Sequence, residues 1–246
     1  MINKKQIIIA GPCSISSKEE LESTIKNIYH EIDFFRCGIW KARTNVQDFK
    51  GIGKKGLVWL SEMEKKYHTP IAIEVGTPKH VEQALHQNLK VFWIGARTTV
   101  NPFYVQEICE SIKGSEVEIW IKNPIHPDIN LWIGAIERFK NVGIKKIKLI
   151  HRGFFSLEEK KYRNHPKWNL VKLMRNLFPS LEIICDPSHI SGDKKLLYSI
   201  SKKAISSGFS GLMIETHFDP ENALSDAKQQ VNCSEFKELL GNLKLT

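Results

Sequence analysis

Eight short apolar runs punctuate this sequence, each followed by a longer amphipathic segment, and that alternation constrains the fold more than any other feature. The runs occupy residues 6–10, 38–42, 70–75, 90–94, 117–122, 146–150, 181–185 and 211–215. Runs of this kind are expected of strands buried on both faces of a parallel sheet. The segments between them, at 17–29, 54–66, 79–86, 103–112, 129–141, 166–177, 192–206 and 234–243, read as helices. Several carry their own start signals. Ser17 with Glu20 three residues on is a capping box, and Thr77-Pro78 and Asn101-Pro102 each pair an N-cap with a proline at the first helical position. Asp128 opens the helix at 129–141 and Gly143 closes it. Strict alternation predicts a single closed (β/α)8 TIM barrel over residues 1–246, with an open doubly wound sheet as the alternative. The length of 246 residues suits one such barrel, which takes about 250.

Composition narrows the function classes. No apolar run approaches the roughly 18 to 20 residues of a membrane span, and residues 1–5 lead into a strand without an export signal, so a cytoplasmic protein with no membrane association is expected. The five cysteines, Cys13, Cys37, Cys109, Cys185 and Cys233, are odd in number and scattered without a CxxC pair, which argues against a disulfide framework or a zinc ribbon. The net charge of +9 comes from lysines spread along the chain rather than gathered in a stripe, so no nucleic-acid partner is expected. Part of that charge falls where an anionic substrate would sit.

Barrel active sites lie at the C-terminal ends of the strands. Here the first strand ends in Gly11-Pro12-Cys13-Ser14, and the second runs into Lys41-Ala42-Arg43-Thr44 with Arg36 just before it. The third carries Glu74, the fourth ends in Gly95-Ala96-Arg97, and the fifth in Lys122-Asn123-Pro124. The sixth ends in His151-Arg152-Gly153, the seventh in Asp186-Pro187-Ser188-His189, and the eighth in Glu215-Thr216-His217. A single cation at a strand end is usually a solvated rim residue. Arg36, Lys41, Arg43, Arg97, Lys122 and Arg152 converging on one mouth repel each other unless anions neutralise them, and they have capacity for more than one phosphate. Cys13, His189 and Glu215 add a thiolate, an imidazole and a carboxylate, a set suited to a divalent metal, with Asp226 or Asp219 as a fourth ligand. A cysteine nucleophile with His189 as its base is the rival chemistry.

The motifs at these strand ends, taken in order, resemble those of the type I beta 3-deoxy-D-arabino-heptulosonate 7-phosphate (DAHP) synthases, relatives of the 3-deoxy-D-manno-octulosonate 8-phosphate synthases. They are Gly-Pro-Cys-Ser, Lys-x-Arg-Thr, Ile-Gly-Ala-Arg-Thr-Thr, Lys-Asn-Pro, His-Arg-Gly-Phe, Cys-Asp-Pro-Ser-His and the closing stretch at 214–230. The similarity runs from about Ile8 to Gln230. It implies a metal-dependent, C–C bond-forming transferase that condenses phosphoenolpyruvate with erythrose 4-phosphate, the entry to the shikimate pathway and aromatic amino acid biosynthesis. It implies one divalent metal (Mn, Fe, Co or Zn) on Cys13, His189, Glu215 and Asp226, choosing Asp226 over Asp219. Phosphoenolpyruvate would be held at Arg36, Lys41, Glu74, Gly95, Ala96, Arg97, Lys122 and Arg152, and the sugar phosphate at Arg43 and Thr44. Lys41, Glu74 and His189 are the expected catalytic residues.

Two departures stand out. The family's Lys-Pro-Arg-Thr reads Lys-Ala-Arg-Thr here, with Ala42 in place of a proline that would stiffen the loop. The octulosonate synthases, which take arabinose 5-phosphate, have Lys-Ala-Asn-Arg-Ser-Ser at this place; Ala42 matches them, and the missing Asn and the Thr do not. Neither an added regulatory domain nor a fused chorismate mutase is expected between the first strand and the last helix. A homo-oligomer, dimer or tetramer, is expected from the resemblance, with a separate chorismate mutase as a further partner. A non-catalytic barrel serving such a partner is the other alternative. The Tyr162-Arg163-Asn164 segment reads as part of a substrate-side loop with no assigned role.

Overall fold

A computed structural model of the chain describes residues 5–245. The reading of residues 1–5 therefore falls mostly outside the described residues. Eight parallel strands close into a barrel in sequence order: β1 (Ile7–Gly11), β2 (Phe34–Cys37), β3 (Ile71–Val75), β4 (Val91–Ile94), β5 (Glu118–Lys122), β6 (Lys146–His151), β7 (Glu182–Cys185) and β8 (Gly211–Glu215). Closure runs from Ile7 opposite Gly211 to Gly11 opposite Glu215. The open-sheet alternative is thereby excluded.

Around the strands lie α1 (Lys18–Ile28), α2 (Lys55–Tyr67), α3 (Pro78–Leu85), α4 (Ala96–Thr99), α5 (Pro102–Ser111), α6 (Ile129–Asn141), α7 (Trp168–Leu177), α8 (Pro187–Ser191), α9 (Leu197–Ser206) and α10 (Cys233–Leu243). The expected caps form. Ser17 and Glu20 make both halves of the capping box, and Thr77, Asn101 and Asp128 accept from the first-turn amides of their helices. The short α4 and α8 had no counterpart among the expected helices; each is a single turn set directly on a strand end.

One strand lies elsewhere than expected. The apolar run at 38–42 is not a strand: β2 is Phe34–Cys37, and the run forms the start of the following loop. An arginine in the middle of Phe34-Phe35-Arg36-Cys37 breaks the apolar signature, yet its side chain is 1 % exposed and faces a carboxylate inside the barrel.

The alternation of strand side chains explains how a site arises here. Outward residues such as Ile8, Ala10, Phe35, Ile73 and Ile121 pack under the helices in the main core. Inside the barrel, Ile9, Ala72, Trp93, Trp120, Ile150, Ile184 and Met213 form a second core, with Phe34 against it. Two residues further along each strand, the same inward direction is taken by Gly11, Glu74, Gly95, Lys122, Arg152, Asp186, Glu215 and, from Phe34, Arg36. The apolar plug therefore supports a ring of charged side chains, opened by two glycines.

Candidate active site

The ring opens into a cavity of about 650 Å³ at the C-terminal mouth. Lys41, Arg43, Thr44, Glu74, Gly95, Ala96, Arg97, Lys122, Arg152, His189 and Asp226 all line it, alongside Ala42. Cys13, Arg36 and Glu215 do not. They are wholly buried and touch the lining from behind: Cys13 Sγ is 3.0 Å from both Lys41 Nζ and Asp226 Oδ2, and Glu215 Oε1 is 3.8 Å from His189 Nε2. Asp219, the other acid considered for the cluster, instead accepts from Asn222 beside the Glu20–His217 pair.

Two glycines allow these approaches. A Cβ at Gly38 would stand 2.3 Å from the Cys13 carbonyl and press on the Lys41 side chain. One at Gly95 would stand 2.1 Å from Glu74 Oε1, so Glu74 lies across a position that tolerates no side chain.

The thiol, carboxylates and imidazole form one cluster. Among the described residues, Cys13, Glu215 and Asp226 bring ligand atoms within 4.8 Å of one another. His189 flanks this trio, oriented by Asp186, which accepts from its backbone amide and lies 3.0 Å from its Nδ1. That leaves Nε2 towards Glu215, the arrangement in which a ligating histidine is held by a carboxylate behind it. Burial holds the His189 imidazole below its ordinary range despite the pull of Asp186, which favours the neutral form that can coordinate. Burial pushes the Cys13 thiol up to about 12, with Glu215 adding to the shift and Lys41 opposing it. Burial would raise Asp226, but His189, Arg163 and the Cys13 hydrogen bond outweigh it and hold the carboxyl below the usual range. A divalent cation fits this cluster: it would replace the thiol proton and satisfy Glu215 Oε1, which has no aligned hydrogen bond although Arg36 Nη2 stands 3.1 Å away.

The cations beside it are undercompensated. Arg36 lies over Trp93 with its Nε and Nη1 buried and without a hydrogen-bond partner among the described residues. Burial lowers the Arg152 guanidinium to about 10 against the attraction of Asp186, and Arg163 and Arg97 add repulsion. Lys122 is held low by burial and is paired with Asp186 at 3.0 Å. An anion in the cavity would relieve the strain at Lys122 and Arg152, which line it. Lys41 differs. Burial would lower it, but Cys13, Glu74 and Glu215 raise it, so it enters neutral pH as a charged proton donor.

Sequence reasoning left several supporting residues without a role. Asp186 was legible from the two-residue alternation, being two beyond Ile184. Asn123 donates to the Gly153 carbonyl and accepts from the Arg152 amide, which fixes the β6 end against β5. Arg163 reaches Asp226 and Gln229. Asn164 accepts from Arg152 Nη1 at 2.9 Å and donates to the His189 carbonyl at 2.6 Å. Nothing local in the sequence signals the contacts of residues 163 and 164.

No helix among the described residues is long and apolar enough to cross a membrane. A profile of the DAHP synthetase I family matches residues 2–245. The chain is 33 % identical to the phospho-2-dehydro-3-deoxyheptonate aldolase of Thermotoga maritima, over 96 % of its own length and 68 % of that protein's. It is 27 % identical to a 2-dehydro-3-deoxyphosphooctonate aldolase of Desulfotalea psychrophila, over 96 % of its length and 88 % of the other. The crystal structure of the Thermotoga maritima DAHP synthase superposes with a TM-score of 0.86 at 30 % identity, covering 98 % of this chain and 69 % of that one. With the barrel and its mouth alike accounted for, the chain is an enzyme that belongs to the DAHP synthetase I family.

Proposed function

We infer that the protein condenses phosphoenolpyruvate with erythrose 4-phosphate and water to give 3-deoxy-D-arabino-heptulosonate 7-phosphate and phosphate. One observation carries this reading: Lys122 and Arg152, held low by burial, line a mouth backed by buried Arg36 and shared with a Cys13, Glu215 and Asp226 cluster and a protonated Lys41. Few reactions call for two phosphates, a metal and a proton donor together.

Cys13, His189, Glu215 and Asp226 would hold the divalent metal, whose chemistry when bound is Lewis-acid polarisation of the aldehyde. Arg36, Arg97, Lys122 and Arg152 bind the phosphate and carboxylate of phosphoenolpyruvate beside Gly95 and Ala96. Arg43 and Thr44 bind the sugar phosphate further out. The enol carbon attacks the aldehyde carbon, and the new C–C bond leaves charge on the former aldehyde oxygen, to which Lys41 gives a proton. Glu74 orients the water that adds to the carbon left electron-poor and takes its proton. The C–O bond to phosphate then breaks. His189 serves as ligand and as the link to Asp186.

Thr44 and the absence of an added Asn favour the four-carbon sugar; in this loop Ala42 matches the octulosonate synthases rather than the heptulosonate ones. Supplying phosphoenolpyruvate with erythrose 4-phosphate or with arabinose 5-phosphate and measuring phosphate release tests this reading. Turnover confined to the first sugar supports it, and turnover confined to the second replaces it. No turnover with either sugar, at any divalent metal, would leave the non-catalytic barrel. The reading further takes residues 1–246 as one barrel domain, working in the cytoplasm as a dimer or tetramer. A separate chorismate mutase is its proposed partner, and co-elution of the two proteins would support that.

A further inference from the structure

Arg163 lines the cavity, and the condensation steps above give it no role of its own. Its backbone amide donates to the Ser191 carbonyl at 3.1 Å, which ties it to the last residue of α8. Gly192 makes room for its stem, because a Cβ there would stand 2.6 Å from Arg163 Cβ. From that anchor the side chain crosses to the loop after β8. A single nitrogen, Nη1, donates to Asp226 Oδ1 at 2.9 Å and to Gln229 Oε1 at 2.6 Å.

Those two contacts have a definite polarity. With an arginine donor on its oxygen, Gln229 must turn its amide NH2 the other way, and Nε2 donates to Glu215 Oε2 at 2.5 Å. Arg163 thus occupies one oxygen of Asp226 directly and one oxygen of Glu215 through Gln229. The remaining oxygens are Asp226 Oδ2, 3.0 Å from Cys13 Sγ, and Glu215 Oε1, towards His189. Asp226 needs the hold, because its backbone sits in the left-handed region at φ 51°.

We propose that Arg163 is a positioning residue that makes both Asp226 and Glu215 one-oxygen ligands, leaving one oxygen of Asp226 against Cys13 and one of Glu215 towards His189. This rests on the metal reading above. Cations that bind carboxylates through both oxygens would be disfavoured, and a compact four-ligand geometry favoured.

The test uses the purified full-length protein with Co²⁺ alone, followed by titration and by the thiolate-to-cobalt charge-transfer absorption. Arg163→Ala should weaken Co²⁺ binding by about 10- to 100-fold, the usual effect of removing a residue that orients ligands. Its metal-free melting temperature should stay close to that of the wild type. Activity lost at limiting metal should return with excess metal, with KM for both substrates little changed. Gln229→Met breaks the relay one step later without removing a charge, and should weaken Co²⁺ binding in the same direction even if Arg163→Ala fails to fold. Wild-type Co²⁺ affinity in either folded variant would overturn the proposal. So would a raised substrate KM with unchanged Co²⁺ affinity, which would make Arg163 a substrate contact. If the wild type itself binds no Co²⁺, the metal reading fails first, before any variant is compared.

Discussion

The two sides of the cavity are built differently. On the inner wall, carried by β2, β5, β7 and β8, the charged groups are paired: Arg36 with Glu215, Lys122 with Asp186 and Asp186 with His189, while the half-buried Asp226 is held by the more exposed Arg163. On the side of the loops after β2 and β4, Thr44 and Arg97 are exposed, and Arg43 is tied, among the described residues, only to the Phe49 carbonyl of its own loop. The first side is fixed by the fold before any ligand arrives. The second has room to adapt to what enters. A reaction that must place a metal and an enol accurately, and then admit a flexible sugar phosphate, is served by that division.

The contrast can be broken at its strongest point first. Arg36→Met strands the Glu215 carboxylate inside the barrel, and losing one partner of a buried pair costs about 3–5 kcal/mol. Urea unfolding should show that loss, and unchanged stability would mean the Arg36–Glu215 pair does not hold the inner wall together. Lys41→Met should leave Co²⁺ binding and the melting temperature nearly intact while lowering kcat by roughly 10²- to 10⁴-fold. Near-normal turnover would remove Lys41 from proton transfer. On the exposed side, Arg97→Ala should raise KM for phosphoenolpyruvate about tenfold, as for loss of one charge-assisted hydrogen bond, with no measurable change in stability.

The smallest effect concerns what braces the inner wall from behind. Glu20 of α1 pairs with buried His217, two residues after Glu215. Burial would raise the Glu20 carboxyl, but His217 and Ser16 outweigh it and hold it at about 2, against an ordinary 4.5. A carboxyl held low stabilises fully above its unfolded value and loses that stabilisation as pH falls towards the folded one. Stability should therefore decline between pH 4.5 and about 2, and Glu20→Gln should flatten that part of the profile. An identical acid limb in the variant would show that the pair contributes nothing.

How much of this was legible in the sequence also divides along the barrel. Seven strands lay within a residue or so of their expected places, because most inward and outward positions are apolar below the mouth. The second strand was misplaced because Arg36 interrupts it, and only the closed barrel supplies the Glu215 that makes a buried arginine tolerable. Most of the ring follows from counting two residues past each inward apolar position. Arg163 does not, since its partners are 63 and 66 residues further on and meet it only through folding.

On the proposed function, the fixed wall and the adaptable rim together make a metal-dependent condensing site. Metal-stripped protein given phosphoenolpyruvate and erythrose 4-phosphate tests it most directly, with phosphate release and heptulosonate formation followed as single divalent metals are returned. The expected result is no turnover in the stripped protein and equal amounts of phosphate and heptulosonate once a suitable metal is restored. Full turnover without metal, or none with any metal, would contradict it.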